Sequence, residues 1–129
     1  MDPFQIGDIV QTNYNSGTYI GQVIEERGNF LLVEVMAVLK HPEQGDLHNR
    51  GQVEGVAFHE RKALAYREKF NARKRTTMPY DGDVPSYEKS LKKAIHDFEK
   101  KLTEDDTPFN RLSLDRLNDL KKHYYHKIL

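Results

Sequence analysis

The chain has 129 residues, no cysteine, and 20 basic against 20 acidic side chains, so it is neutral overall. That length gives one domain, or a small domain with an appendage, and the missing cysteines exclude disulfide frameworks, thiolate zinc and thiol nucleophiles. The charge is unevenly spread: residues 1–60 carry three bases and nine acids, residues 61–80 seven bases and one acid, and residues 81–129 ten of each.

The opening, MDPFQIGDIVQTNY, has neither a basic stretch nor an apolar run of the secretory kind. The longest apolar run, Phe30 to Leu39, is too short to span a bilayer and carries Glu34. A soluble, cytoplasmic protein is expected, without membrane insertion or a lipid anchor on cysteine.

The first forty residues read as β structure. Ile6 to Asn13 forms a short strand, and Asn15-Ser16-Gly17 supplies residues that accept a tight reversal. Thr18 to Glu26 follows as a second strand in which Gly21 signals a bulge or a sharp bend. Arg27-Gly28-Asn29 is a hairpin loop, and Phe30 to Leu39 is the third and most buried strand, antiparallel to the second.

From Lys40 to Gln52 the pattern stops. This loop contains HPEQGDLH, with Pro42 and Gly45 giving it fixed bends, and loops of about a dozen residues tend to be functional. The next stretch, His59 to Arg75, is ambiguous: its composition favours helix, while alternation around Leu64, Tyr66 and Phe70 favours a strand. Met78 to Pro85, with two prolines and a glycine, reads as a boundary.

Beyond it the period lengthens. Tyr87, Leu91, Ala94, Ile95, Phe98 and Leu102 mark an amphipathic helix opened by Pro85 and capped by Ser86. Thr107 and Pro108 open a second helix, with its stripe at Phe109, Leu112, Leu117, Leu120, Tyr124 and Ile128. Two apolar stripes need cover, and a helical hairpin packed on the preceding β domain provides it. The expected division is therefore a β unit over 1–84 and a hairpin over 85–129 that is structurally part of the same unit.

The order GDIV, YIG, AVLKHPEQGDLH, FHERKALAYRE and PYDGDVPSY resembles the kinase-associated protein B family, small proteins of endospore-forming Gram-positive bacteria. The similarity runs from Gly7 to about Leu120. It implies a mainly β fold with C-terminal α structure: an SH3-like barrel followed by a two-helix hairpin. Under that implication Leu64, Tyr66 and Phe70 line the barrel as part of a strand, and Arg73 to Thr76 makes a short helical turn before the last strand. The resemblance also implies an activator of a sensor histidine kinase in sporulation. These relatives are also called lipoproteins, whereas this chain offers no cysteine for a thioether lipid; membrane recruitment would then run through a partner.

Several chemistries compete for the histidine-rich segments. His41, Asp46, His48, His59 and Glu60 are all possible metal ligands. Their spacing fits no closed zinc template, and His-Glu-x-x-His is absent. No metal or cofactor is expected, and the loop is read as held by its own hydrogen bonds. No serine sits in a nucleophile elbow, and no glycine loop cradles phosphate, so no enzyme is expected. His59-Glu60-Arg61 looks like a phosphoacceptor box but lacks the nucleotide-binding domain that chemistry requires. Nucleic-acid binding through the basic 61–75 segment, with Tyr66, Phe70 and Tyr80 as stacking rings, is an alternative that the neutral overall charge disfavours. The favoured reading is a protein-interaction module whose contact residues are His41, Glu43, Asp46, His48, His59, Glu60, Arg61 and Tyr80.

Overall fold

The computed structural model describes residues 4–128. The first three residues of the expected 1–84 unit, and the last of the 85–129 unit, lie outside it. Five strands form one antiparallel sheet: β1 Ile9–Tyr14, β2 Gly17–Arg27, β3 Phe30–Lys40, β4 Lys69–Arg73 and β5 Met78–Pro79. Their spatial order is β4-β3-β2-β1-β5. A short 3-10 turn, Lys74–Thr76, lies between the last two strands. Two helices follow, α1 Tyr87–Glu104 and α2 Pro108–His123, and a second 3-10 turn covers Tyr125–Lys127.

The sheet curls because β2 and β3 are long and repeatedly out of step. Their register shifts at Thr18/Tyr19, Ile20/Gly21 and Val23/Glu25, and each irregularity adds bend and twist. At Gly21 the facing strand leaves no room for a side chain. A Cβ there would collide with the Val33 side chain and lie 2.6 Å from the Glu34 carbonyl oxygen. The bend brings the flanks together, so that the Tyr14 ring of β1 sits 5.2 Å from Phe70 of β4. The result is a barrel-like β domain followed by a helical hairpin, the order expected.

The alternation in β3 decides which face is covered. Leu31, Val33, Val35 and Ala37 point inward and are fully buried. Helix α1 lies against this strand and is fixed there by Ser90, whose Oγ accepts from the Val38 amide at 2.9 Å. One continuous core joins Val10, Tyr19 and Phe70 of the sheet to Leu91, Phe98, Leu117 and Tyr125 of the C-terminal segment. Both helix starts follow the sequence signals: the Ser86 side chain accepts from the Lys89 amide, and Thr107 from that of Asn110, with Pro108 in the first turn.

Three expectations need correction. The segment from His59 to Glu68 is neither helix nor strand, and β4 begins only at Lys69. Arg67 takes φ +68°, which breaks the run; the Arg67 amide and the Glu68 carbonyl bond to Val35 of β3, while Ala63 and Leu64 bond to tyrosine side chains. Tyr66 therefore stays outside the barrel, 59% exposed and tilted against Tyr87, while Phe70 is buried and Leu64 packs on the core. The second helix stops at His123. Tyr124 leaves the α phase at φ −122°, ψ −52°, so its ring is exposed and Tyr125 takes the buried position that the helical period assigned to Tyr124.

Candidate functional site

The loop after β3 is a clasp with fixed ends. At its start His41 is 1% exposed. Its ring stacks on Phe98, with centroids 5.3 Å apart, and meets the edge of Tyr125. Nδ1 lies 2.9 Å from the Pro42 carbonyl and Nε2 2.8 Å from the Tyr125 hydroxyl. A carbonyl only accepts, so Nδ1 carries the hydrogen and Nε2 accepts from the phenol. Burial in this apolar setting pushes the His41 imidazole down to about 4, opposed by the bond to Pro42.

Three tyrosine hydroxyls hold the facing segment. Tyr125 Oη accepts from the Ala63 amide at 2.8 Å, and Tyr19 Oη accepts from the Leu64 amide at 3.2 Å. Tyr87 Oη donates to the Leu64 carbonyl at 2.6 Å. These bonds satisfy backbone groups that a strand ladder would otherwise have paired. Burial raises all three phenols, Tyr19 to about 12.

Gln44 joins the two segments. It is 2% exposed, and its amide accepts from the Arg61 N–H at 2.9 Å and donates to the Arg61 carbonyl at 2.8 Å. The Gly45 amide adds a bond to the His59 carbonyl at 2.9 Å. Gly45 takes φ +96°, and a Cβ there would lie 2.9 Å from the Phe58 ring, so position 45 has no room for a side chain. The Arg61 guanidinium donates to the Glu43 and Gly45 carbonyls. Ser16, in the β1–β2 turn, accepts from the Glu43 amide at 2.9 Å.

The expected contact residues therefore divide. His41 and the Arg61 guanidinium are committed to the clasp. Glu43 is half-buried, with Arg50 at 3.3 Å, Lys40 at 3.9 Å and Lys101 at 4.0 Å. Asp46 accepts from the His48 amide and the Asn49 side chain, and these bonds, the Asn49 one foremost, hold its carboxyl below the usual range. His48, His59 and Glu60 are exposed. Tyr80 belongs to a separate turn, where its amide bonds to Ile9 and its hydroxyl to the Asp83 carbonyl.

A groove of about 480 Å³ opens beside His59 and Glu60. Its other wall is α2, with Arg116, Asp119 and His123, then Tyr124. Sequence reasoning missed this wall, as it missed Gln44, Ser16 and Tyr125. Exposed polar residues on a helix carry no signal of what loop they will face, and the three clasp residues act across long separations. Among the described residues no three of His, Cys, Asp and Glu converge as a metal would need, and no helix is long and apolar enough to cross a membrane.

A barrel-like β domain carrying a rigid loop beside a helical hairpin defines a small scaffold with one shaped, charged edge. The sequence model of the Kinase associated protein B family matches residues 14–125, and the chain belongs to that family. It is 44% identical over 127 residues to kinase-associated lipoprotein B of Bacillus subtilis (strain 168), covering 98% of this chain and 99% of that one. The crystal structure of kinase-associated protein B from Bacillus cereus is 40% identical and superimposes with a TM-score of 0.80, covering 94% of this chain and 97% of the other.

Proposed function

We propose that the protein is a non-catalytic interaction module that associates with a sensor histidine kinase and supports its activity in the phosphorelay leading to sporulation. The family's name supports a kinase partner. The proposed contact is the outer side of the clasped loop, with His48, His59 and Glu60 presented directly and Glu43 and Asp46 on the edge, and α2 as the second wall. The observation that carries this reading is the pair of hydrogen bonds between the Gln44 side chain and the Arg61 backbone. It fixes both limbs of a surface loop, so little ordering entropy is lost when a partner binds. In this reading the protein is cytoplasmic, reaches the inner face of the membrane through the kinase, and uses no cofactor.

The test is crosslinking in sporulating cells with the full chain, followed by identification of what is captured. A sensor histidine kinase, lost from the capture when Glu60 is changed to Arg, is expected. A normal yield of soluble protein with no kinase in the capture would overturn the proposal.

A further inference from the structure

Away from the clasp, the far end of the sheet carries the chain's basic segment in an unexpected setting. Two adjoining clefts, of about 470 and 390 Å³, share Phe30 and Arg73. Among the described residues no acidic side chain lines either of them. Phe30 and Tyr14 are each 38% exposed, unlike Phe70, one of the three rings expected to stack. Phe30 and Arg73 are cross-strand partners, and the guanidinium carbon lies 5.9 Å from the ring centroid. Arg75 stands beside them, and the Asn13, Asn29 and Asn71 amides complete the lining. Lys74 bonds to Glu26, whereas neither Arg73 nor Arg75 makes an ion pair among the described residues.

The patch is held rigidly. The Lys74 amide donates to the Asn29 carbonyl at 3.0 Å, and Thr77 Oγ1 donates to the Arg73 carbonyl at 2.7 Å. Unneutralised guanidinium groups beside exposed rings suit a ligand that alternates negative charge with flat faces, and side-chain amides suit base edges. We infer that this surface binds a short stretch of single-stranded nucleic acid, with one base stacked on Phe30 and phosphates against Arg73 and Arg75. The site is separate from the clasp, so kinase association does not depend on it.

The test is titration of the isotopically labelled full chain with hexauridylate, read by amide shifts and by fluorescence anisotropy. Saturable shifts at Phe30, Asn71, Arg73 and Arg75 are expected. Phe30→Ala should weaken binding by roughly fivefold or more, the lower end of what loss of one stacked base produces, while Phe30→Tyr should retain it. Arg73→Gln with Arg75→Gln should flatten the salt dependence, since each phosphate contact contributes about 0.7 to the logarithmic slope for a single strand. Unchanged melting temperatures confirm that each variant is folded. Absence of shifts at millimolar hexauridylate would overturn the inference. So would equal binding of a heparin hexasaccharide that Phe30→Ala leaves unaltered, because the surface would then attract polyanions by charge alone.

Discussion

His41 Nε2 and the Tyr125 hydroxyl lie 2.8 Å apart, joining the start of the loop to the last turn of a chain segment 84 positions later. The same hydroxyl accepts from the Ala63 amide. One phenol thus ties the end of β3, the segment after the loop and the C-terminal hairpin to a single point. Removing the oxygen leaves a buried amide and a buried imidazole nitrogen unpaired, at about 1–3 kcal/mol each before relaxation. Tyr125→Phe should lower unfolding free energy by about 2–3 kcal/mol in urea titrations. Tyr124→Phe, one residue earlier but exposed, should stay within about 0.5 kcal/mol of the parent.

The same histidine sets an acid limit. In the unfolded chain its imidazole takes up a proton near the ordinary 6.5, and in the folded protein only near 4. Between those values the unfolded state binds more protons, so stability falls as pH drops through this window and gains nothing further from His41 above it. The full loss is about 3 kcal/mol, from about 1.4 kcal/mol for each pH unit of separation. Denaturant unfolding at half-unit steps from pH 4 to 7 should show this slope, and His41→Gln should flatten it.

Gly21 should tolerate no side chain. The atom nearest an added Cβ on the backbone side is the Glu34 carbonyl oxygen, which can move only with its strand. Gly21→Ala is expected to cost about 1–3 kcal/mol, the usual range for forced overpacking. Thermal unfolding checks it; an unchanged midpoint would mean that the bend between β2 and β3 is compliant.

The hairpin should be inseparable from the sheet. Leu91, Leu117 and Leu120 are almost wholly buried in the core that includes Val35 and Val38, and burial of each contributes about 1.5–3 kcal/mol. A chain ending at Tyr80 also loses Tyr87 and Tyr125, which hold the backbone at Ala63 and Leu64. Such a fragment should aggregate or unfold without cooperativity. A melting temperature equal to that of the full chain would show the two parts to be independent.

Where local signals set the structure, the sequence was readable. Runs of strand-forming residues between turn signals marked β2 and β3, Gly21 marked the irregularity, and Ser86 and Thr107 marked the helix starts, because each depends on neighbours within a few residues. The stretch from His59 to Glu68 was not readable, since its backbone partners are distant in sequence: Gly45 and the Gln44 side chain for His59 and Arg61, the hydroxyls of Tyr19, Tyr87 and Tyr125 for Ala63 and Leu64, and Val35 for Arg67 and Glu68, which no local period reveals. The HPEQGDLH loop was legible as a shaped segment held by its own hydrogen bonds. That His41 would be core and His48 surface was hidden, because only the placement of Phe98 and Tyr125 separates them. Tyr124 and Tyr125 exchanged places for a similar reason: the period holds only while the helix does.

In the proposed function the outer side of the clasped loop meets a kinase while its inner side only maintains shape. The decisive measurement is the affinity of the purified full chain for a sensor histidine kinase in nanodiscs, with and without His48→Ala and Glu60→Ala combined. The double variant should lose at least tenfold in affinity, about 1.4 kcal/mol or more, with its melting temperature within about 2 °C of the parent. Unchanged affinity in a fully folded double variant would contradict it.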